Sequence, residues 1–355
     1  MSDILFNRRG HLGLITLNRP KALNALNTGM VREMRQKLIE WESDDDIHAV
    51  VVMGSGDRAF CAGGDVVSIY KSGQAWKENG CQGEAEWRDF FHDEYLLNAT
   101  IFHYSKPYIA ILNGIVMGGG VGVSVHGSHR VATENTLFAM PETGLGLIPD
   151  VGGGYFMPRL PGSAGMYLAL KGDRLKAADC RAFGVCNSYV PVEKISDLLD
   201  EMETQTTLDK DRVSILLAKF NEDAGEGVVA VNRDKIDQYF DAENLRDIFD
   251  RLRANGGEWA LDQLKVLKRM SPTSMMVTFQ QMKRGATMEF NDVMKMEYCI
   301  VNEIMKGEDF YEGVRAILLE KDMKPFWVPE KYKEISDEMV EAHFQTPESG
   351  PLDLN

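Results

Sequence analysis

Residues 113–159 read NGIVMGGGVGVSVHGSHRVATENTLFAMPETGLGLIPDVGGGYFMPR. Three consecutive glycines, Gly118 to Gly120, are followed by the pair Pro141-Glu142 and, eight residues beyond that glutamate, by Asp150. The background is apolar and strand-prone. Thirteen of the chain's 33 glycines fall between Gly114 and Gly165. Regular helix or strand does not tolerate that density, because each interior glycine costs ~0.5–1 kcal/mol relative to alanine. Bare backbone is needed where an N–H group must approach a ligand closely. Gly118-Gly119-Gly120 ahead of Val121, Val123 and Val125 reads as a tight turn opening a buried helix, whose N-terminus offers free N–H groups and a partial positive charge. Such donors suit the oxyanion that develops when a carbonyl is attacked or its α-carbon deprotonated. Glu142 and Asp150 are carboxylates suited to proton transfer or nucleophilic attack. The same residues also read as a glycine-rich packing corner, with Glu142 an acid in the first helical turn after Pro141.

The 355-residue length favours two domains, or one core with a large appendage. A 44% hydrophobic and 26% charged composition is that of a soluble globular protein, and no apolar run approaches the ~18 residues of a membrane helix. The net charge of −15 disfavours a nucleic-acid partner, which would draw on clustered Lys and Arg. Five cysteines, Cys61, Cys81, Cys180, Cys186 and Cys299, show no metal-like C-x-x-C pairing and suit a reducing compartment. The N-terminal MSDILFNRRGHLGLITLNRP runs into a strand-like stretch and carries no secretory apolar segment. The expected location is cytoplasmic.

Along the chain, His11 to Asn18 alternates as a strand does and breaks at Arg19-Pro20. Val31, Met34, Leu38 and Trp41 form a helical stripe, and Ala49 to Met53 is a short apolar strand. This strand, helix, strand order points to an α/β core. AFCAGGD at 59–65 repeats the glycine theme, with Asp65 placed to cap a helix over Val66 to Tyr70, and Lys71 to Gly83 reads as a polar surface excursion. In the helix that follows, Glu94 lies seven residues after Trp87 and so shares its apolar face with Phe90 and Phe91. A carboxylate there is solvated at the edge, bonded to a buried backbone group, or functional. Beyond Val190 glycine thins and helical stripes dominate. The composition therefore divides the chain into a core, residues 1–190, and a mainly helical C-terminal domain, residues 191–355.

No phosphate-binding G-x-x-x-x-G-K-[ST], no H-E-x-x-H and no G-x-G-x-x-G is present. Gly122-Val123-Ser124-Val125-His126 misses the serine-hydrolase elbow by its last position, and Ser124 and His126 read as structural. The seven histidines form no cluster with ligand spacing, so no metal is expected.

Four segments, NRPKALNAL at 18–26, AFCAGGD at 59–65, KPYIAILNGIVMGGGVG at 106–122 and PETGLGLIPDVGGG at 141–154, together resemble the crotonase family, the enoyl-CoA hydratase and isomerase superfamily. The resemblance implies an α/β spiral of ββα units that binds an acyl-CoA thioester. It also implies that the thioester carbonyl accepts from two backbone N–H groups, matched here by Gly64 and Gly119. Hydratases of the family use two glutamates. One is matched by Glu142, while the other position holds Gly122, which transfers no proton. IPDVGGGYF at 148–156, FFHDEYLLN at 90–98 and DFYEGVRAILLEKDMKPFW at 309–327 look instead like the 3-hydroxyisobutyryl-CoA hydrolase branch. That likeness extends over nearly the whole chain and implies that Glu94 contacts the substrate or its surroundings.

The expected activity is hydrolysis of a short branched 3-hydroxyacyl-CoA thioester, with Glu142, Asp150, Gly64 and Gly119 catalytic and Glu94, Gly119, Glu142 and Asp150 binding substrate. No cofactor is expected, coenzyme A being part of the substrate, and a homo-oligomer is compatible with this reading. Two alternatives are enoyl-CoA isomerisation or hydration and, in a different class, non-catalytic acyl-CoA binding.

Overall fold

The computed structural model describes residues 2–254 and 256–354. Nine strands occur among them: β1 (Ile4–Arg9), β2 (Leu12–Leu17), β3 (Ala49–Gly54), β4 (Ala59–Cys61), β5 (Tyr108–Leu112), β6 (Ile115–Met117), β7 (His129–Ala132), β8 (Leu137–Ala139) and β9 (Ser188–Tyr189). A six-stranded sheet has the order β1-β2-β3-β5-β7-β9, and a three-stranded sheet has the order β4-β6-β8. Only β1 and β2 pair antiparallel. Successive strands thus alternate between the sheets, β3 then β4, β5 then β6, β7 then β8, which is the expected repetition of ββα units. Parallel strands buried on both faces read as continuous apolar runs, and every residue of β5, YIAIL, is buried.

The chain divides into two compact units that interleave along the sequence. The first comprises Met1–Gly64, Leu96–Ala139 and Arg174–Val231, and contains both sheets. Its core sets Leu12, Val51, Ile109 and Val131 against Leu198, Met202, Val213 and Leu217 of the helices Ile195–Glu203 and Lys210–Phe220. The second comprises Asp65–Tyr95, Met140–Asp173 and Asn232–Asn355. Every regular element after residue 189 is helical among the described residues, in keeping with the composition change near 190. The helices Ile195–Glu203 and Lys210–Phe220 cover the large sheet.

One expectation needs correction. Lys71 to Gly83 is not an irregular excursion, since the helix Val66–Glu78 continues through most of it. Ile69, Gly73 and Trp76 form its buried stripe, and a Cβ at Gly73 would lie 2.5 Å from the Tyr311 hydroxyl. The glycine that suggests a loop is there because a tyrosine packs against the helix backbone. Asp65 caps this helix as expected, its carboxylate accepting from the Ser68 N–H at 3.3 Å.

Candidate active site

The two glycine turns lie together in the first unit. Cys61 ends β4, Gly63 follows with φ +116° and Gly118 has φ +47°. A Cβ at Gly63 would stand 3.4 Å from the Met117 carbonyl oxygen and 3.7 Å from the Gly119 nitrogen, and one at Gly120 would overlap the Cys61 carbonyl oxygen at 2.2 Å. The turns are bare because they pack on each other. The helix opened by Gly118 is a single turn, Gly119–Gly122, shorter than the valine run suggests. Gly119 is its first residue, so its N–H has no acceptor within the helix. Asn24, from the segment NRPKALNAL, ties the start of β4 in place by donating to the carbonyls of Ala59 at 2.8 Å and Ser55 at 3.0 Å. Ser124 is structural, its hydroxyl donating to the Gly120 carbonyl at 2.7 Å.

The carboxylates lie together in the second unit. Glu142 opens a short 3-10 turn, Glu142–Leu145, directly after Pro141. It is an acid in a first turn, as the simpler reading has it, yet it is only 5% exposed and its Oε2 has no hydrogen-bond partner among the described residues. Glu94, on the helix Glu86–Phe102, is 2% exposed, and its Oε1 is likewise buried without a partner. It is therefore not solvated at an edge, nor is that oxygen bonded to backbone. Asp150 is buried and accepts from the Tyr95 hydroxyl at 2.8 Å.

No lysine or arginine among the described residues pairs with any of these carboxylates. Burial pushes the Glu142 carboxyl well above its ordinary range, and the Asp150 charge pushes it further. Glu94 rises for the same first reason and then through repulsion from Asp150 and Glu142. Burial lifts Asp150 to about 7 while the Tyr95 hydrogen bond pulls it down. Like charges sharing a desolvated space cannot all ionise, so the group holds protons more tightly than solvated carboxylates do. Such groups are suited to acid and base work.

Two contributors escape sequence reasoning. Tyr95 is fully buried, its ring edge-on to Phe91 and Tyr298, and nothing in FFHDEYLLN distinguishes it from a core aromatic. Glu297, on the helix Phe290–Ile304, is wholly buried among Val293, Met294, Ile300 and Val301. It accepts from the N–H groups of Gly152 at 2.7 Å and Gly154 at 2.8 Å, just after Asp150. Its only signal in the sequence is the one Glu94 gives, an acid in an apolar stripe.

The chain matches the enoyl-CoA hydratase/isomerase family over residues 12–344. It is 45% identical to a mitochondrial 3-hydroxyisobutyryl-CoA hydrolase of Xenopus tropicalis, over 99% of this chain and 91% of the relative. It is 40% identical to the mitochondrial protein of the same name from Homo sapiens, over 99% of this chain and 90% of that one. A crystal structure of a carnitinyl-CoA dehydratase from Mycobacterium thermoresistibile superposes with a TM-score of 0.90 at 39% identity, covering 100% of this chain and 99% of the other. The cytoplasmic expectation is overturned by the hydrolases, which are mitochondrial by name. Unpaired cysteines separate reducing from oxidising surroundings and do not tell one reducing compartment from another. Among the described residues no helix is long and apolar enough to cross a membrane. The chain belongs to the enoyl-CoA hydratase/isomerase family, in its 3-hydroxyisobutyryl-CoA hydrolase branch.

Proposed function

We propose that this protein binds acyl-CoA and hydrolyses the thioester of a short branched 3-hydroxyacyl-CoA, 3-hydroxyisobutyryl-CoA, to 3-hydroxyisobutyrate and free CoA. The observation that carries the reading is the buried pair in which Glu142 has an oxygen without a protein partner and Asp150 is held by Tyr95. A desolvated oxygen left unpaired costs free energy, and a substrate or the attacking water recovers it.

In this reading the N–H groups of Gly64 and Gly119 hold the thioester oxygen as negative charge develops, and removing one such donor typically costs ~2.7–4 kcal/mol of barrier. Glu142 either attacks the thioester carbon, forming a mixed anhydride that water then cleaves, or takes a proton from the water that attacks. In both routes the C–S bond breaks and the CoA thiolate leaves and collects a proton. Asp150 accepts from the substrate's C3 hydroxyl and so orients the acyl chain. Glu94, held neutral by burial and by its acidic neighbours, is a polar wall of the acyl site. The division into a core over residues 1–190 and a helical domain over 191–355 remains part of this proposal.

Enoyl-CoA hydration is disfavoured because Gly122, at the family's other glutamate position, carries no acid. Incubation of the purified protein with a panel of acyl-CoA esters and a thiol reagent separates the readings. Release of free CoA from 3-hydroxyisobutyryl-CoA is expected. An absorbance change without thiol release marks a hydratase or isomerase, and binding without either marks a non-catalytic protein. Single turnover in heavy-oxygen water then distinguishes the routes, since label found in the Glu142 carboxylate requires attack by the side chain.

A further inference from the structure

We propose that Glu297 is a positioning residue for this reaction, its carboxylate fixing the backbone that carries Asp150 so that it acts on the substrate only through Asp150. This rests on the reading that Asp150 meets the C3 hydroxyl.

A carboxylate with no exposure in the stripe of an apolar helix is costly, and an apolar side chain of similar volume would pack there at no loss unless its acceptors were used. Both oxygens are used. Oε2 accepts from the Gly152 N–H at 2.7 Å, while Oε1 accepts from the Gly154 N–H at 2.8 Å and from Gln281 Nε2 at 3.0 Å. Gln281, on the helix Pro272–Gly285, also donates to the Pro149 carbonyl at 2.8 Å. Residues 149, 152 and 154 are thus gripped on both sides of Asp150 by two helices.

What they grip is a tight turn, closed by the Gly153 N–H donating to the Asp150 carbonyl at 2.7 Å, whose backbone is strained. Val151 lies at φ +50° and Gly152 at φ +84°. The left-handed region is unfavourable for a β-branched residue and persists only where the surroundings over-determine it. Glu297 and Gln281 supply that determination at atomic contact, since a Cβ at Gly154 would stand 3.0 Å from Glu297 Oε1 and 3.1 Å from Gln281 Cγ. A Cβ at Gly285 would overlap the Gly154 carbonyl oxygen at 1.9 Å, so the turn has no room to relax towards that helix. Burial and then the charge of Asp150 raise Glu297 to about 8, against the pull of its N–H donors. Glu297 and Asp150 are thus electrically as well as mechanically linked.

The test is a double-mutant cycle of Glu297→Gln and Asp150→Asn, read as kcat and KM on 3-hydroxyisobutyryl-CoA and on isobutyryl-CoA. In Glu297→Gln an amide N–H faces the Gly152 N–H, so the turn shifts. The expected result is a fall in kcat on the hydroxylated thioester of roughly tenfold to a hundredfold, with little change in KM. A smaller fall is expected on isobutyryl-CoA, and less than about twofold further loss when Asp150 is already Asn. Multiplicative losses in the double variant, equal losses on both thioesters, or no loss at all would overturn the proposal. If Glu297→Gln does not fold, Gln281→Met removes the hold on Pro149 and one bond to Glu297 at similar volume, and the same non-additivity with Asp150→Asn is expected. Equal efficiency of wild type on the two thioesters counts against the hydroxyl-binding reading of Asp150. The cycle on either thioester still reports whether Glu297 acts through Asp150.

Discussion

Two acidic groups in the second unit show how little the residue type decides. Glu94, Glu142, Asp150 and Glu297 are buried without a cation among the described residues, and every one has its proton affinity raised, first of all by burial. Glu312, Glu320 and Asp322 surround Arg315 at the surface. There Arg315 bonds Glu312 at 2.7 and 2.8 Å and Asp322 at 2.9 Å, and it holds both carboxyls below their ordinary range. The first group is left able to take up and release protons near neutral pH. The second, gathered by Arg315, ties residues 320 and 322 to the helix Asp309–Val314 that carries Glu312. Desolvation and pairing, not composition, separate a reactive acid from an inert one.

The contrast is broken most severely at Glu142. Glu142→Gln keeps the shape and removes the basicity, and turnover should fall by ~10²–10⁴-fold, the usual worth of a general acid or base. Binding of the CoA ester, followed by calorimetry, should persist. A variant that retains more than about a tenth of wild-type kcat would remove Glu142 from the chemistry.

Substrate choice is the next largest effect. A site built to bond a hydroxyl rejects an analogue lacking it, because its own polar groups are left unpaired. The kcat/KM for 3-hydroxyisobutyryl-CoA should exceed that for isobutyryl-CoA at least about tenfold, and Asp150→Asn should narrow the ratio. If, as proposed, the ionised Asp150 accepts from the hydroxyl, the ratio should rise with pH through about 7. Tyr95→Phe removes the bond that pulls Asp150 down, so the rise should move to higher pH. A ratio flat in pH, or unmoved in Tyr95→Phe, would detach Asp150 from selectivity.

The same raised affinities predict how stability responds to pH. An acid whose folded value lies above its unfolded one keeps more protons in the folded state, so stability is greatest below the unfolded carboxylate value. It declines as pH rises towards the folded value, which is about 7 for Asp150 and about 8 for Glu297. Glu94→Gln removes one such ionisation. Its melting temperature should gain on wild type at pH 8 relative to the difference at pH 5, as read by calorimetric scans at both. A difference that does not change between the two pH values would mean that Glu94 is not held protonated by burial.

The smallest effect belongs to the surface group. Arg315→Met should leave kcat unchanged, and any loss of thermal stability should shrink as salt is added, because exposed pairs are screened. A loss of turnover would show that the two acidic groups are coupled after all.

Glu94 can be suspected from the letters alone, since a carboxylate seven residues from Trp87 must lie on an apolar face. Glu142 and Asp150 are marked by the glycines and prolines around them. Tyr95 and Glu297 are not marked in this way. The Glu297 bonds span 145 and 143 residues of sequence, and periodicity within one helix says that an acid is buried without saying what it holds. Gly73 misleads for a related reason, because its packing partner Tyr311 is far along the chain.

The sequence by itself determined the short buried strands, the paired glycine turns, the helical character after residue 190 and Glu94, Glu142 and Asp150 as candidates. These are local properties, set by backbone freedom, apolar period and residue type. Only the tertiary structure decided that two helices after 190 cover the large sheet and that Tyr95 bonds Asp150. It alone decided that a glutamate from the C-terminal half grips the Asp150 turn, and that burial raises the proton affinity of four carboxylates. A proton's affinity for its site depends on which water has been excluded and which charges stand nearby, and both are fixed by segments that meet only when the chain has folded.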